Sequence, residues 1–194
     1  MSTNINKKLK VKDIITVVLL SLINVVIFCA SSLLYATPVT IVLMPVFFAL
    51  MEGMVFFIIG TKIRKPGAML IYAFVRGILG GYLPYILLFL VSGVIAELIL
   101  RKTGYGNAKG LTVSYIINQT LASIGSTIYP YAIAVKSMTD NAVTDGRQDN
   151  IFDAADMLVF PRWLILLFCV AAAAFVGALI GKRVVKKHIA NDFE

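Results

Sequence analysis

Apolar residues fall in six runs, at 14–30, 38–60, 68–82, 84–100, 111–135 and 160–180, separated by polar connectors. A helix rises about 1.5 Å per residue, so crossing about 30 Å of hydrocarbon takes about 20 residues. The first, second, fifth and sixth runs meet that length. The third and fourth are short and meet at Gly80-Gly81-Tyr82-Leu83-Pro84. They form either two short spans or a re-entrant hairpin, and both options return the chain to the same side. The pattern predicts an all-α membrane protein: one integral membrane domain over residues 1–194, built as a compact bundle of six transmembrane helices. Pro45 is expected to kink the second helix.

Composition agrees with that reading. Of the chain, 59% is hydrophobic and 14% charged, whereas soluble domains carry roughly 25% charge. The longest polar stretch, 136–158, leaves no room for a soluble domain. The first run has no clear small-residue cleavage site and more spans follow it, so it is expected to be a retained helix. Cys29 and Cys169 both lie in apolar runs, which argues against a disulfide framework.

A net charge of +8 raises the question of nucleic acid, but its distribution answers it. Most Lys and Arg residues sit in four short clusters between runs: Lys7 to Lys12, Lys62 to Lys65, Arg101 to Lys109, and Lys182 to Lys187. Short basic connectors are retained on the cytoplasmic side. The basicity therefore reports topology and no nucleic-acid partner is expected. With six crossings all four clusters share one face. The expectation is a multi-pass protein of a prokaryotic plasma membrane with both termini cytosolic. The opposite face receives loop 31–37, a turn near Tyr82, and the acidic loop 136–159 with Asp140, Asp145, Asp149, Asp153 and Asp156. Residues 149–158 are expected to form a short amphipathic helix capped at Asp149, part of a lid. These aspartates lack EF-hand spacing.

Enzyme chemistry finds little support. The single histidine, His188, lies in the basic tail, which removes His-based metal sites. Neither a P-loop nor a nucleophile elbow is present. No metal and no cofactor is expected, and active transport would need energy from an ion gradient or another subunit.

Charged residues away from the ends of the runs are few: Glu52, Arg76 and Glu97. Such groups need a partner or water in hydrocarbon. Counted from the cytosolic ends, Glu52 and Arg76 both lie about 14 Å deep, which makes them candidates for an intramembrane ion pair, structural or gating. Glu97 is about one turn from the cytosolic end and can reach Arg101 at i+4.

Uncharged polar residues cluster in the fifth run: Asn118, Gln119, Ser123, Ser126 and Thr127, then Tyr129-Pro130-Tyr131. Near the same face lie Tyr35, Tyr82, Tyr85, Arg162 and Trp163. An interfacial aromatic belt accounts for the tyrosines and tryptophan without a ligand. The functional reading is an outward-facing pocket formed by Tyr35, Tyr82, Tyr85, Ser123, Thr127, Tyr131, Arg162 and Trp163, suited to a small planar or amphipathic solute. Gly77 and Gly81, and Ala173, Gly177 and Gly181, have small-xxx-small spacing, which serves close packing either within the chain or against a partner helix.

The opening Lys8-Leu9-Lys10-Val11-Lys12-Asp13-Ile14-Ile15, the stretch RKPGAMLIYAFVRGILGGYLPYILLFLVSGVIAELILRKTGY (64–105) and SYIINQTLASIGSTIYPYAI (114–133) carry a family likeness. They resemble the substrate-binding S components of energy-coupling factor (ECF) transporters, in the Trep_Strep, MptD-like subgroup. The likeness covers nearly the whole chain. It implies a six-helix, S-component-like binder of a vitamin-like micronutrient, working with a transmembrane T component and two cytosolic ATPases. Many S components dock through an Ala-x-x-x-Ala face on the first helix. Here Ser21 and Val25 stand at that spacing, so docking by Ser21, shared with Ala173, Gly177 and Gly181 of the last helix, is the expectation. The alternatives are a self-sufficient secondary carrier or channel, and a non-transporting membrane scaffold.

Overall fold

In lipid a chain must satisfy its own backbone hydrogen bonds, and the apolar runs do so as helices. The computed structural model describes residues 8–134 and 147–188. In order, the elements are α1 (Val11–Ser31), a 3-10 turn (Ser32–Ala36), α2 (Pro38–Met51), α3 (Gly53–Lys62), α4 (Ala68–Leu79), α5 (Leu83–Thr103), α6 (Ala108–Ser123), a π-helical continuation (Ile124–Ala134), α7 (Arg147–Met157) and α8 (Arg162–His188). No strand occurs among the described residues. The chain is a helical membrane protein. Four stretches, Val11–Ala36, Pro38–Lys62, Leu83–Thr103 and Arg162–Lys187, are long and apolar enough to cross a bilayer, and Ala68–Leu79 is a shorter apolar helix.

Local chemistry sets several boundaries. Thr37 and Thr40 form a capping box ahead of α2, with the Thr40 amide donating to Thr37 Oγ1 at 3.3 Å and the Thr37 amide to Thr40 Oγ1 at 3.2 Å. Pro38 and Pro84 occupy first-turn positions, where no amide proton is needed. Asn107 caps α6 by accepting from the Lys109 amide at 2.9 Å. Pro45 lies inside α2, but the break between α2 and α3 falls seven residues later, at Glu52.

α3 is the innermost helix. Val55, Phe56, Phe57 and Ile59 are all buried, and Phe56 meets Tyr72 and Tyr115 at ring distances of 5.4 and 5.1 Å. A helix apolar all round belongs inside. α5 lies between α4 and α6; α8 packs on α2, α3 and α6; α1 leans on α4 and α3. α4 is two-faced: Met69, Tyr72, Ala73, Arg76 and Gly77 are buried, while Phe74 and Ile78 face outward.

The small residues of α8 are used within the chain. A Cβ on Gly177 would fall on the carbonyl oxygen of Ala49, and one on Gly181 on that of Gly53. Ala173 and Ser21 are buried as well. These four positions, expected to dock a partner, therefore offer no exposed surface in this conformation. Small side chains let backbones approach where no hydrophobic force drives helices together. The pairing of Gly177 with Ala49 and Gly181 with Gly53 also makes α8 parallel to α2 and α3, so its basic tail and Lys62 share one end.

The other basic connectors meet at that end. Lys65 Nζ pairs with Asp13 at 2.6 Å. Glu97 does not turn to Arg101; its Oε1 accepts from the Gly67 and Met69 amides at 2.9 and 3.0 Å, and its Oε2 from the Tyr105 hydroxyl at 3.1 Å. The physical reason is the start of α4: Gly67 has φ +93°, and the free amides there carry the positive end of the helix dipole. Burial, with Glu97's charge beside it, pushes the Tyr105 hydroxyl up to about 12.

At the opposite end α7 lies across α2, the 3-10 turn and the π-helical segment. It buries Ala154 and Ala155, and Leu158 follows them inward. Asn150 donates to the Ala36 carbonyl at 3.3 Å. α7 spans Arg147–Met157, so Asp149 sits within the helix instead of capping it. Asp140, Asp145 and Lys7 lie outside the described residues.

Candidate functional site

Beneath α7's end of the bundle lies a cavity of about 280 Å³, near the lower limit of small-molecule sites at roughly 300 Å³. Each wall comes from a different element. α1 and the 3-10 turn supply Phe28 and Tyr35; α2 supplies Met44, Pro45 and Phe48; the end of α4 supplies Arg76 and Gly80. Tyr82 and Tyr85 come from the start of α5, and Gln119, Ala122, Ser123, Ser126, Pro130 and Tyr131 from α6 and its π-helical continuation. π-helical turns are rare and concentrate at functional sites. Gly125 admits the close approach of this segment to α5, since a Cβ there would press on the Tyr85 backbone at 2.9 Å. The lining is mostly aromatic and apolar.

A charged network forms the floor. Arg76 Nε donates to Glu52 Oε1 at 2.8 Å, and Nη2 lies 2.6 Å from the same oxygen. Gln119 Nε2 donates to Glu52 Oε2 at 3.1 Å. Glu52 is 1% exposed and Arg76 3%. Buried charges persist when paired and hydrogen-bonded, and both conditions hold. The guanidinium is also held by ring faces, with Cζ 5.3 Å from the Phe48 centroid and 5.7 Å from that of Tyr85. The break at Glu52 between α2 and α3 places this carboxylate opposite Arg76 of α4 and Gln119 of α6.

Of the residues singled out from sequence, Tyr35, Tyr82, Tyr85, Ser123 and Tyr131 line the cavity. Thr127 does not; it is buried beside Ser126, their hydroxyls 3.3 Å apart. Arg162 and Trp163 also stand outside the lining. Arg162 is exposed at the start of α8, and Trp163 packs against Phe160 at 6.1 Å. The cavity's guanidinium is that of Arg76, which sequence reasoning placed only in the ion pair. Phe28, Met44, Phe48, Gln119 and Pro130 were not assigned to the pocket. One signal for part of that set existed: Gln119, Ser123, Ser126 and Pro130 recur at i, i+4, i+7 and i+11, a single helical face.

No curated protein and no solved structure matches the chain. A family model does match, over residues 11–191. The helices with membrane-spanning length and the match across nearly the whole chain agree, and the chain belongs to the family described as hypothetical bacterial integral membrane protein (Trep_Strep).

Proposed function

We propose that the chain is the solute-binding subunit of an ATP-driven micronutrient uptake system of the energy-coupling factor type. In this reading it takes a small vitamin-like solute from the outer face and delivers it together with a transmembrane T component and two cytosolic ATPases. The observation that carries the proposal is the aromatic cavity of about 280 Å³ closed below by the Arg76–Glu52–Gln119 floor. Apolar walls with few fixed polar groups are the usual build of a small-molecule site. The sequence holds no nucleotide-binding loop, so in this reading the energy comes from the partner ATPases.

The test is thermal stabilisation of the purified chain by a panel of vitamins and precursors, which grows as ligand concentration exceeds Kd. Tyr85→Ala is expected to abolish the shift and Arg162→Ala to leave it intact. Tagged chain should also co-purify a T component and an ATPase pair. Absence of both ligand stabilisation and ATPase partners overturns the proposal. One observation favours a second reading, a self-sufficient carrier: a buried carboxylate, Glu52, sits directly under the cavity, where ion coupling would need it. Uptake into liposomes without any ATPase would select that reading.

A further inference from the structure

Two polar groups at the cavity floor have hydrogen-bonding capacity left over, and their signs differ. Arg76 turns its Nε–Nη2 edge to Glu52, so Nη1 points away from the carboxylate and forms no hydrogen bond among the described residues. Gln119 is oriented by the same carboxylate. A carboxylate only accepts, so the amide nitrogen must face Glu52 and the amide oxygen must face elsewhere. Tyr115 also meets this amide, but its hydroxyl donates to the Ala49 carbonyl at 2.7 Å, so it can only accept from the Gln119 nitrogen, and the amide oxygen is left without a donor among the described residues. Both side chains line the cavity, and both are bonded to Glu52, which makes them neighbours. The floor thus presents a donor beside an acceptor.

Charge narrows the choice further. Glu52 and Arg76 already neutralise each other, and both side chains are buried. An anionic solute would set two negative charges around one guanidinium, and a cationic one would meet no free carboxylate. Both are costly at low dielectric. The aromatic lining, with Phe28, Phe48, Tyr82 and Tyr85 among it, favours a planar body.

Resting on the solute-binding reading above, we propose that the cavity takes a neutral heteroaromatic lactam, a planar ring bearing a carbonyl next to a ring N–H. The carbonyl accepts from Arg76 Nη1 and the ring N–H donates to the Gln119 amide oxygen. Such a paired edge satisfies both leftover groups at once. An analogue that cannot donate leaves the Gln119 oxygen buried and unpaired.

The experiment measures binding of four probes to the full chain in detergent by calorimetry: 2-pyridone, 1-methyl-2-pyridone, benzoate and benzylamine. 2-Pyridone is expected to bind about ten- to a hundredfold more tightly than its N-methyl analogue, the usual range for one buried unpaired group. Benzoate and benzylamine are expected to bind more weakly than 2-pyridone. Gln119→Met keeps the Glu52–Arg76 pair and should erase the preference between the two pyridones while leaving the protein monodisperse. Equal binding of the two pyridones by the wild type, or a preference surviving Gln119→Met, overturns the lactam proposal. So does tighter binding of benzoate or benzylamine, an outcome that leaves the cavity itself a binding site. Failure of all four probes to bind overturns the lactam proposal too, and the broader vitamin panel then decides whether the solute-binding reading falls with it.

Discussion

Removing the guanidinium of Arg76 while keeping its bulk, as in Arg76→Met, isolates the energetics of the cavity floor. Glu52, 1% exposed, would keep only the bond from Gln119 at 3.1 Å. Two unit charges about 4 Å apart attract by about 4 kcal/mol at an effective dielectric of 20. Breaking one side of a buried pair costs about 3–5 kcal/mol, because the surviving charge stays buried. The two figures agree, so a loss of about 4 kcal/mol is expected. The double variant Glu52→Gln/Arg76→Met should recover most of it, since a buried pair exchanged for neutral groups is often close to neutral in stability. The assay is equilibrium unfolding in mixed micelles titrated with sodium dodecyl sulfate, followed by the fluorescence of Trp163, the single tryptophan. A cost under about 1 kcal/mol for Arg76→Met would mean that water reaches Glu52 and that the floor is not a closed charge pair. A double variant no more stable than the single one would refute the coupling itself.

Three further outcomes are expected. Gly177→Val should destabilise by about 1–3 kcal/mol or more, because its Cβ meets the Ala49 carbonyl, which is backbone and cannot rotate away; an unchanged unfolding midpoint would show that α8 does not cross at this level. Glu97→Leu should cost about 1–3 kcal/mol by stranding the Gly67 and Met69 amides, and Glu97→Gln clearly less, as its carbonyl still accepts; equal losses in the same titration would show that the cap is not what matters. In a chain with Cys29 and Cys169 replaced by alanine, Asp156→Cys and Lys102→Cys should react with an impermeant maleimide from opposite faces of the membrane, and labelling of both from one face contradicts the basic-end arrangement.

Much of the fold was legible because a bilayer leaves few options. Backbone groups in hydrocarbon must pair internally, so an apolar run of membrane-spanning length becomes a helix whatever its detailed sequence. The basic connectors likewise pointed to a common end, and Lys65 with Asp13, and Glu97 with Gly67, meet there. Even the pairing of Glu52 with Arg76 was readable, from equal depth and the cost of leaving either charge alone. The sequence could not say how those helices pack. Whether Gly177 serves the chain or a partner depends on which backbone lies opposite, and Ala49 does. Whether Glu97 pairs with Arg101 or caps α4 depends on how close the start of α4 comes to α5. The cavity is the clearest case. Its walls come from α1, α2, α4, α5 and α6, and no periodicity along one helix reports what four others present to it. Tertiary structure replaced Arg162 with Arg76 as the cavity's guanidinium, because bundle geometry, and not position along the chain, sets which side chains converge.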